Sequence, residues 1–455
     1  MSEERTNGPQ GGDSRLSVEN PSSVNLPAAG RPRIVIIGGG FGGLELVHRM
    51  KRLDAQVVLI DQNNYHTFQP LLYQVATAAL EPQAIACPFR EIFRNQKNFF
   101  FRMAEVKRLM PEHKCIETSI GAVDYDYLIL ANGSATNFFG LKDVEKNAVD
   151  MKSVTEAIGL RHLILENFEK ALLTSDPEER ESLMNFVIVG AGPTGVELAG
   201  ALGELKNYIL PADYPELDLH RMKIHLIDMG DRVFQALSKR SSMLAERALK
   251  KFNIDIHFKI KVESYDGSVL ALSNGEKLRS RAVIWAAGVK ANSLPGFDDG
   301  RLAPSGRIKV DRFNRVEGCD NIFAVGDVAV MISEGYPKGH PMLAPVAIQQ
   351  ARNLAGNFKR IFTKRELKPF VYKNYGVMAT IGRNRAVVDL KWIQFNGPLA
   401  WLTWVFFHIM SLVGFRNRVV AFVNWLWNYV SYDRAVRLII RPSGTKSDET
   451  RWSEN

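Results

Sequence analysis

Gly38, Gly40 and Gly43 stand in a GxGxxG spacing directly after the apolar run Arg33-Ile-Val-Ile-Ile. Gly190, Gly192 and Gly195 repeat it after Asn185-Phe-Val-Ile-Val. The three glycines do different work: the first permits a tight turn, the second lets the backbone approach a pyrophosphate, and the third lets a helix pack closely on a strand. The helix that follows then offers free N–H groups and its positive dipole end to the phosphates. Each pattern is closed by an acid suited to a ribose hydroxyl: Asp61, 18 residues after Gly43, and Asp228, after a longer insertion. Two further apolar runs end in small residues, at Asn132-Gly133 and Ala287-Gly288, as expected where a strand end passes close to a dinucleotide. A third run, Asn321-Ile-Phe-Ala-Val, ends at Gly326-Asp327, which reads either as a hydroxyl-binding acid or as a plain turn after a buried strand.

Positioning these residues requires strand, turn and helix in that order, and β-branched runs leading into glycines and then helix-compatible residues supply it. The segments Arg33–Leu46 and Asn185–Leu198 are identical at 7 of 14 positions without gaps, so one nucleotide-binding unit occurs twice. A chain of 455 residues accommodates two large domains and an appendage. The expected fold class is α/β, with two Rossmann-like dinucleotide-binding domains. The first takes residues 33–150 and is completed by 300–365; the second takes 151–299. Residues 1–32, rich in Gly, Pro, Ser and Asn, read as a disordered tail, and 366–455 form a C-terminal region.

Composition and spacing exclude several chemistries. With 46% hydrophobic and 24% charged residues the chain is globular. Its cysteines, Cys87, Cys115 and Cys319, form neither a CxxC pair nor a metal-ligand spacing, and the nine histidines are scattered, so no metal site is expected. Redox chemistry would therefore need a bound cofactor. The net charge of +9 favours anionic partners. Nucleic acid is not among those expected, because no basic run with interleaved aromatics occurs outside the C-terminal segment. The tail lacks the apolar core of a secretory signal and the Arg-rich pattern of a transit peptide, which points to the cytosol.

The C-terminal segment carries the membrane signal. Gly397–Phe415 is nearly continuously apolar but borderline in length for a span. Beyond it Asn424, Asn428, Ser431 and Arg434 form a polar stripe, with Phe422, Trp425, Leu426, Tyr429, Val436 and Ile440 opposite. Four of the seven tryptophans lie between 401 and 427, and five arginines against Asp433 alone lie between 397 and 441. Trp and Arg beside an apolar face suit a helix lying in the membrane interface. Packing against the core or against a second copy is the alternative reading.

Taken together, the two GxGxxG units, the two strand ends and the late Gly-Asp resemble the two-dinucleotide flavoprotein reductases. Within them, Tyr65-His-Thr-Phe-Gln-Pro-Leu-Leu-Tyr-Gln74, Ala344-Pro-Val-Ala347-Ile-Gln349-Gln350, Ile381-Gly-Arg-Asn-Arg-Ala and Gly414-Phe-Arg-Asn-Arg resemble the type II NADH:quinone oxidoreductases over about residues 33–441. The resemblance implies noncovalent FAD on Gly38, Gly40, Gly43, Asp61, Gln74, Asn132, Gly133, Gly326, Asp327 and Ala347. It implies NADH on Gly190, Gly192, Gly195, Asp228, Ala287 and Gly288, and preference for NADH over NADPH follows from the charge of Asp228. Glu197 is the implied catalytic acid near flavin and nicotinamide; its alternative role is an acid stabilised by the helix dipole. Quinone would meet Ala347, Gln349 and Gln350, although Pro345 replaces a Gln common in that motif. The implied enzyme is a non-pumping homodimer peripheral to the cytoplasmic face of the cell membrane. Two rivals are a thiol-based flavoprotein such as a sulfide:quinone reductase and a redox sensor that binds FAD and NADH without turnover.

Overall fold

The computed structural model describes residues 24–28, 30–297, 299–431 and 436–439. Residues 1–23 and 29 of the expected tail lie outside the described residues, and so do Asp433, Arg434, Ile440 and Arg441 of the C-terminal segment. Residues 24–28, which fall inside that expected tail, are held against the first domain. Gln56 Nε2 and Arg33 Nη2 donate to the Pro27 carbonyl, the Arg102 guanidinium donates to those of Val24 and Asn25, and Val24 and Leu26 pack on buried core residues. Two apolar side chains with carbonyls met by charged donors suffice to order a stretch whose composition alone reads as loose.

In chain order the elements that build the site are β1 (Arg33–Ile37), α1 (Phe41–Arg49), β2 (Gln56–Asp61), α2 (Leu72–Ala76), β3 (Phe99–Met103), β4 (Tyr127–Leu130) and α3 (Val154–Leu173). They continue with β5 (Asn185–Val189), α4 (Pro193–Tyr208), β6 (Lys223–Asp228), β7 (Ile254–Phe258), β8 (Ala282–Trp285), β9 (Ile322–Ala324) and α5 (Ala344–Phe362). The last part is β10 (Val377–Gly382), β11 (Arg385–Asp389), β12 (Gln394–Asn396), α6 (Pro398–Ser411) and α7 (Phe415–Ser431).

Two parallel sheets result, ordered β9-β4-β1-β2-β3 and β7-β6-β5-β8. Their strands are covered on both faces, so Ile34–Ile36 and Phe186–Ile188 are uninterrupted apolar runs with no exposed surface. In each sheet the chain leaves the GxGxxG strand on one side and returns on the other. That makes the carboxyl ends of β1 and β5 the switch points where ligands bind in such sheets. Strand β9 and helix α5, which packs on α1, complete the first sheet from far along the chain.

A smaller antiparallel sheet, β10-β11-β12, then leans on α4. Gly200 in α4 is what admits β10: a Cβ there would lie 2.1 Å from the Ile381 carbonyl oxygen. Helices α6 and α7 follow, the first started by Pro398 at its N-terminal turn and the two parted at Gly414, whose φ is +86°.

Candidate functional site

The two glycine cradles are geometrically alike. A Cβ on Gly43 would lie 1.9 Å from the Gly38 oxygen, and one on Gly195 1.9 Å from the Gly190 oxygen, so each third glycine seals helix to turn. Gly38 and Gly190 have φ of +95° and +109° and press against the ends of β4 and β8. Gly40 and Gly192 differ from these: each caps its helix without a side-chain bond, and a Cβ on either would meet nothing within 4 Å. Open space therefore stands before the free N–H groups of α1 and α4, as an anionic diphosphate requires.

The acids beside the cradles are already oriented. Asp61 accepts from the Gly39 and Asn63 N–H groups, both at 2.7 Å, while burial pushes its carboxyl up. Asp228 accepts from those of Ala191 and Gly230, both at 2.6 Å. Asp327 accepts the Ser134 hydroxyl at 2.6 Å, and Ser134 accepts from Lys152 Nζ at 3.1 Å. Asn132 Nδ2 donates to the Asn292 carbonyl, leaving its buried Oδ1 without a partner among the described residues, and Gly133 beside it faces open space. Ala287 is half-buried, and Gly288, at φ +75°, lies against the Phe139 ring. Open cradles, an orphaned amide oxygen and acids placed for hydroxyls fit two dinucleotides.

Between α4, the β10–β11 turn and the C-terminal helices lies a cleft opening onto about 790 Å³ of empty space. Tyr73, Gln74 and Thr77 line it from the α2 segment, Trp401, Trp404 and Val405 from α6, and Trp425, Asn428 and Tyr429 from α7. Trp401 stacks on Tyr429 with centroids 5.3 Å apart, and Trp425 Nε1–H donates to Gln74 Oε1 at 2.6 Å. Glu197 stands in the same wall, 8% exposed, and its nearest donor is the Thr380 N–H at 3.4 Å. Burial pushes its carboxyl up to about 8, so it is a proton-carrying acid near neutral pH.

The remaining expected residues have partners within the protein. Gln74, expected against FAD, is bonded to Tyr73 and Trp425 and belongs to the cleft wall. Gln349 exchanges two hydrogen bonds with the Lys373 backbone, and buried Gln350 accepts the Gly326 N–H at 2.7 Å; neither lines the cleft. Ala347 lies beneath Gly326, where an added Cβ would come within 3.1 Å of its methyl.

In the C-terminal helices the apolar face expected for a membrane interface is the exposed one. Of the polar stripe of α7, Asn428 turns inward and donates to the Ala79 carbonyl, as Asn417 earlier on the helix does to that of Ala86, whereas Ser431 is exposed and donates to the Trp427 carbonyl. Phe415, Phe422, Leu426 and Val430 face outward, at 82, 52, 53 and 74% exposure. Of the four clustered tryptophans only Trp427 is exposed, at 60%; Trp404 is buried and Trp401 and Trp425 wall the cleft. An asparagine stripe inward with apolar side chains outward reverses the usual soluble arrangement, because the stripe satisfies backbone carbonyls that would otherwise be lost. Thr380, Glu204 and Arg383 also line the cleft without having been expected there; Arg383 belongs to the Ile381-Gly-Arg-Asn-Arg-Ala motif, while Glu204 carries no local signal beyond its spacing from Glu197 on α4.

The three cysteines are free, and burial pushes each thiol up, which disfavours the thiolate that disulfide chemistry needs.

Residues 32–351 match the profile of the Pyridine nucleotide-disulphide oxidoreductase family, and residues 375–431 match that of the NDH2 C-terminal domain. Fold and site thus define a two-dinucleotide reductase by class. Two curated relatives, both type II NADH:quinone oxidoreductases of Mycobacterium tuberculosis, are 34% and 35% identical, with 89% and 90% of this chain and 89% of each relative covered. The chain belongs to the type II NADH:quinone oxidoreductase family. The fold is also that of NDH2 from Plasmodium falciparum, solved with NADH (TM-score 0.83, 22% identity, 90% of this chain and 100% of the other). A sulfide:quinone oxidoreductase from Aquifex aeolicus is less similar (TM-score 0.69, 19% identity, 90% and 96%).

Proposed function

We propose that the protein transfers two electrons from NADH to a membrane quinone through noncovalently bound FAD, without pumping ions. FAD, when bound, supplies the two-electron relay between nicotinamide and quinone. Gly38, Gly40, Gly43 and Asp61 hold its diphosphate and ribose, and Asn132, Gly133, Gly326, Asp327 and Ala347 line the rest of its path. Gln350 keeps the Gly326 backbone in place for this. Gly190, Gly192, Gly195, Asp228, Ala287 and Gly288 hold NADH, with the Asp228 carboxylate repelling the 2′-phosphate of NADPH.

The aromatic cleft receives the quinone head, and Glu197 holds a proton for its oxygen. The observation that carries this reading is the place of Glu197, two residues past Gly195 of the second cradle and buried in a cleft closed by Trp401, Trp404 and Trp425. The outward face of α6 and α7 lies on the bilayer, so that a lipid-dissolved quinone reaches the cleft directly. No helix among the described residues is long and apolar enough to cross a membrane. The same reading includes a homodimer on the cytoplasmic face.

The test is spectroscopic. NADH added without oxygen should bleach the flavin, quinone should restore it, and repeated cycles should yield many quinols per flavin. Bleaching without recovery would favour the redox-sensor alternative.

A further inference from the structure

Helix α4 carries more than Glu197 into the cleft. Glu197, Ala201, Glu204 and Tyr208 follow at intervals of four, three and four residues, which puts them on one helical stripe, and all four line the cleft. Their exposure rises outward along the helix: Glu197 is 8% exposed, Glu204 is half-buried and Tyr208 is 47% exposed. The adjoining strand end follows the same course. The Thr380 N–H points to Glu197 Oε1 and the Arg383 N–H to Glu204 Oε1, while Gly382, at φ +138°, brings the backbone so close that a Cβ would lie 2.8 Å from that oxygen.

The overall reaction sets a demand on this stripe. NADH, one proton and quinone give NAD+ and quinol: two electrons leave the nicotinamide as hydride, and the second quinol proton comes from water. An acid that gives its proton to the quinone must be recharged at every turnover. Glu197, only 8% exposed, is the least accessible polar group on this stripe, so its proton must travel along the cleft wall.

We propose that Glu204 is the relay that recharges Glu197, passing protons from the outer end of the cleft near Tyr208 along this face of α4. This rests on the reading of the cleft as the quinone site. Two helical turns separate the carboxylates by about 10 Å along the axis, a gap that a short chain of waters in a polar-edged cleft bridges. Facing the stripe from other elements are Tyr73 of α2, Tyr429 of α7, and Arg383, whose guanidinium lies 4.0 Å from the Tyr429 ring. Arg385 is held on the Phe252 ring at 4.4 Å, and Lys206 of α4 donates to the Met222 carbonyl. Glu204 acts through Glu197 and is in that sense a positioning residue for the proton.

The variant for the test is Glu204→Gln, which keeps an oxygen to accept the Arg383 N–H and so preserves the turn. The first readout needs neither quinone nor turnover. The infrared band of the protonated Glu197 carboxyl, identified by its loss in Glu197→Gln, is followed after transfer of the FAD-loaded protein to heavy water. Exchange in Glu204→Gln should be at least about tenfold slower than in the unaltered protein, and Glu204→Asp should restore most of it. In the second readout, recovery of flavin absorbance on adding quinone should slow in Glu204→Gln, increasingly so as pH rises, and imidazole buffer should relieve the loss. Unchanged exchange with an unchanged pH profile would overturn the relay. Failure of the unaltered protein to recover with quinone would instead overturn the proposed function, leaving the exchange result to stand or fall by itself.

Discussion

Glu45 and Glu197 occupy the same place in the two repeats, two residues after the third glycine, and are held in opposite electrostatic states. Burial alone would push the Glu45 carboxyl up. The Arg352 and Arg49 guanidinium groups, at 2.7 and 2.9 Å, outweigh it and hold Glu45 below the usual carboxylate range. Glu197 faces aromatic rings, and burial carries it to about 8. One position in one repeated motif is thus an ion-paired clamp onto α5 in the first unit and a protonated acid in the second.

Replacing Glu197 by Gln should leave flavin content and bleaching by NADH nearly intact, while recovery with quinone slows on the order of 100-fold. In the unaltered protein recovery should decline as pH rises through about 8. Stability has the same sign. The folded value lies above the unfolded one, so the contribution is full below about 4.5 and is lost as pH rises toward 8. The slope is at most about 1.4 kcal/mol per unit. Denaturant unfolding across that range should show the slope in the unaltered protein and a flatter line in Glu197→Gln; identical lines would remove the assignment of a neutral buried acid.

Gly40→Ala and Gly192→Ala separate the two cradles. Both residues have ordinary negative φ, −66° and −75°, and an added methyl meets no protein atom within 4 Å. The fold should survive in both. The first variant should purify depleted of FAD; the second should keep its flavin but need at least about tenfold more NADH for half-maximal bleaching. Full flavin content in Gly40→Ala would contradict a diphosphate at that helix.

The cradles were the most legible part of the sequence, because strand, turn and helix signals there are local and each glycine has its own steric reason. Strand β9 was legible for the same cause, through Gly326-Asp327. The cleft was not legible, since its walls come from α2, α4, the β10–β11 turn and two C-terminal helices, and no local pattern joins Gln74 to Trp425. The orientation of α7 was not legible either, for a physical reason: periodicity reveals that a helix has two faces, but not which of them meets the protein. Only the Ala79 and Ala86 carbonyls, awaiting donors, decide that Asn428 and Asn417 turn inward.

Trp425→Phe removes the donor to Gln74 Oε1 while keeping most of the ring. The loss of one partly buried hydrogen bond should cost about 1 kcal/mol. It should raise the quinone concentration needed for half-maximal recovery without altering bleaching by NADH. An unchanged quinone requirement would place the substrate elsewhere.

Leu426→Asp and Val430→Asp put charge on the outward face at positions with few protein contacts to lose. Thermal unfolding should shift little, within about 0.5 kcal/mol per substitution, whereas co-flotation with anionic liposomes should fall sharply. Removing α6 and α7 whole would be a poorer test, because Trp404 and Ala400 are part of the buried core. Undiminished flotation of the double variant would argue for a second copy, rather than lipid, on that face.

Strand β9 joins β4 across the whole intervening second sheet, and this orders events during synthesis. All four strands of the second sheet are synthesised before β9 and α5 exist. A growing chain therefore passes through a stage with one sheet complete and the other missing an edge strand and the helix that covers α1. That open flank exposes apolar surface and an unpaired strand edge until residues 322–362 are made, which is the form most prone to misassembly.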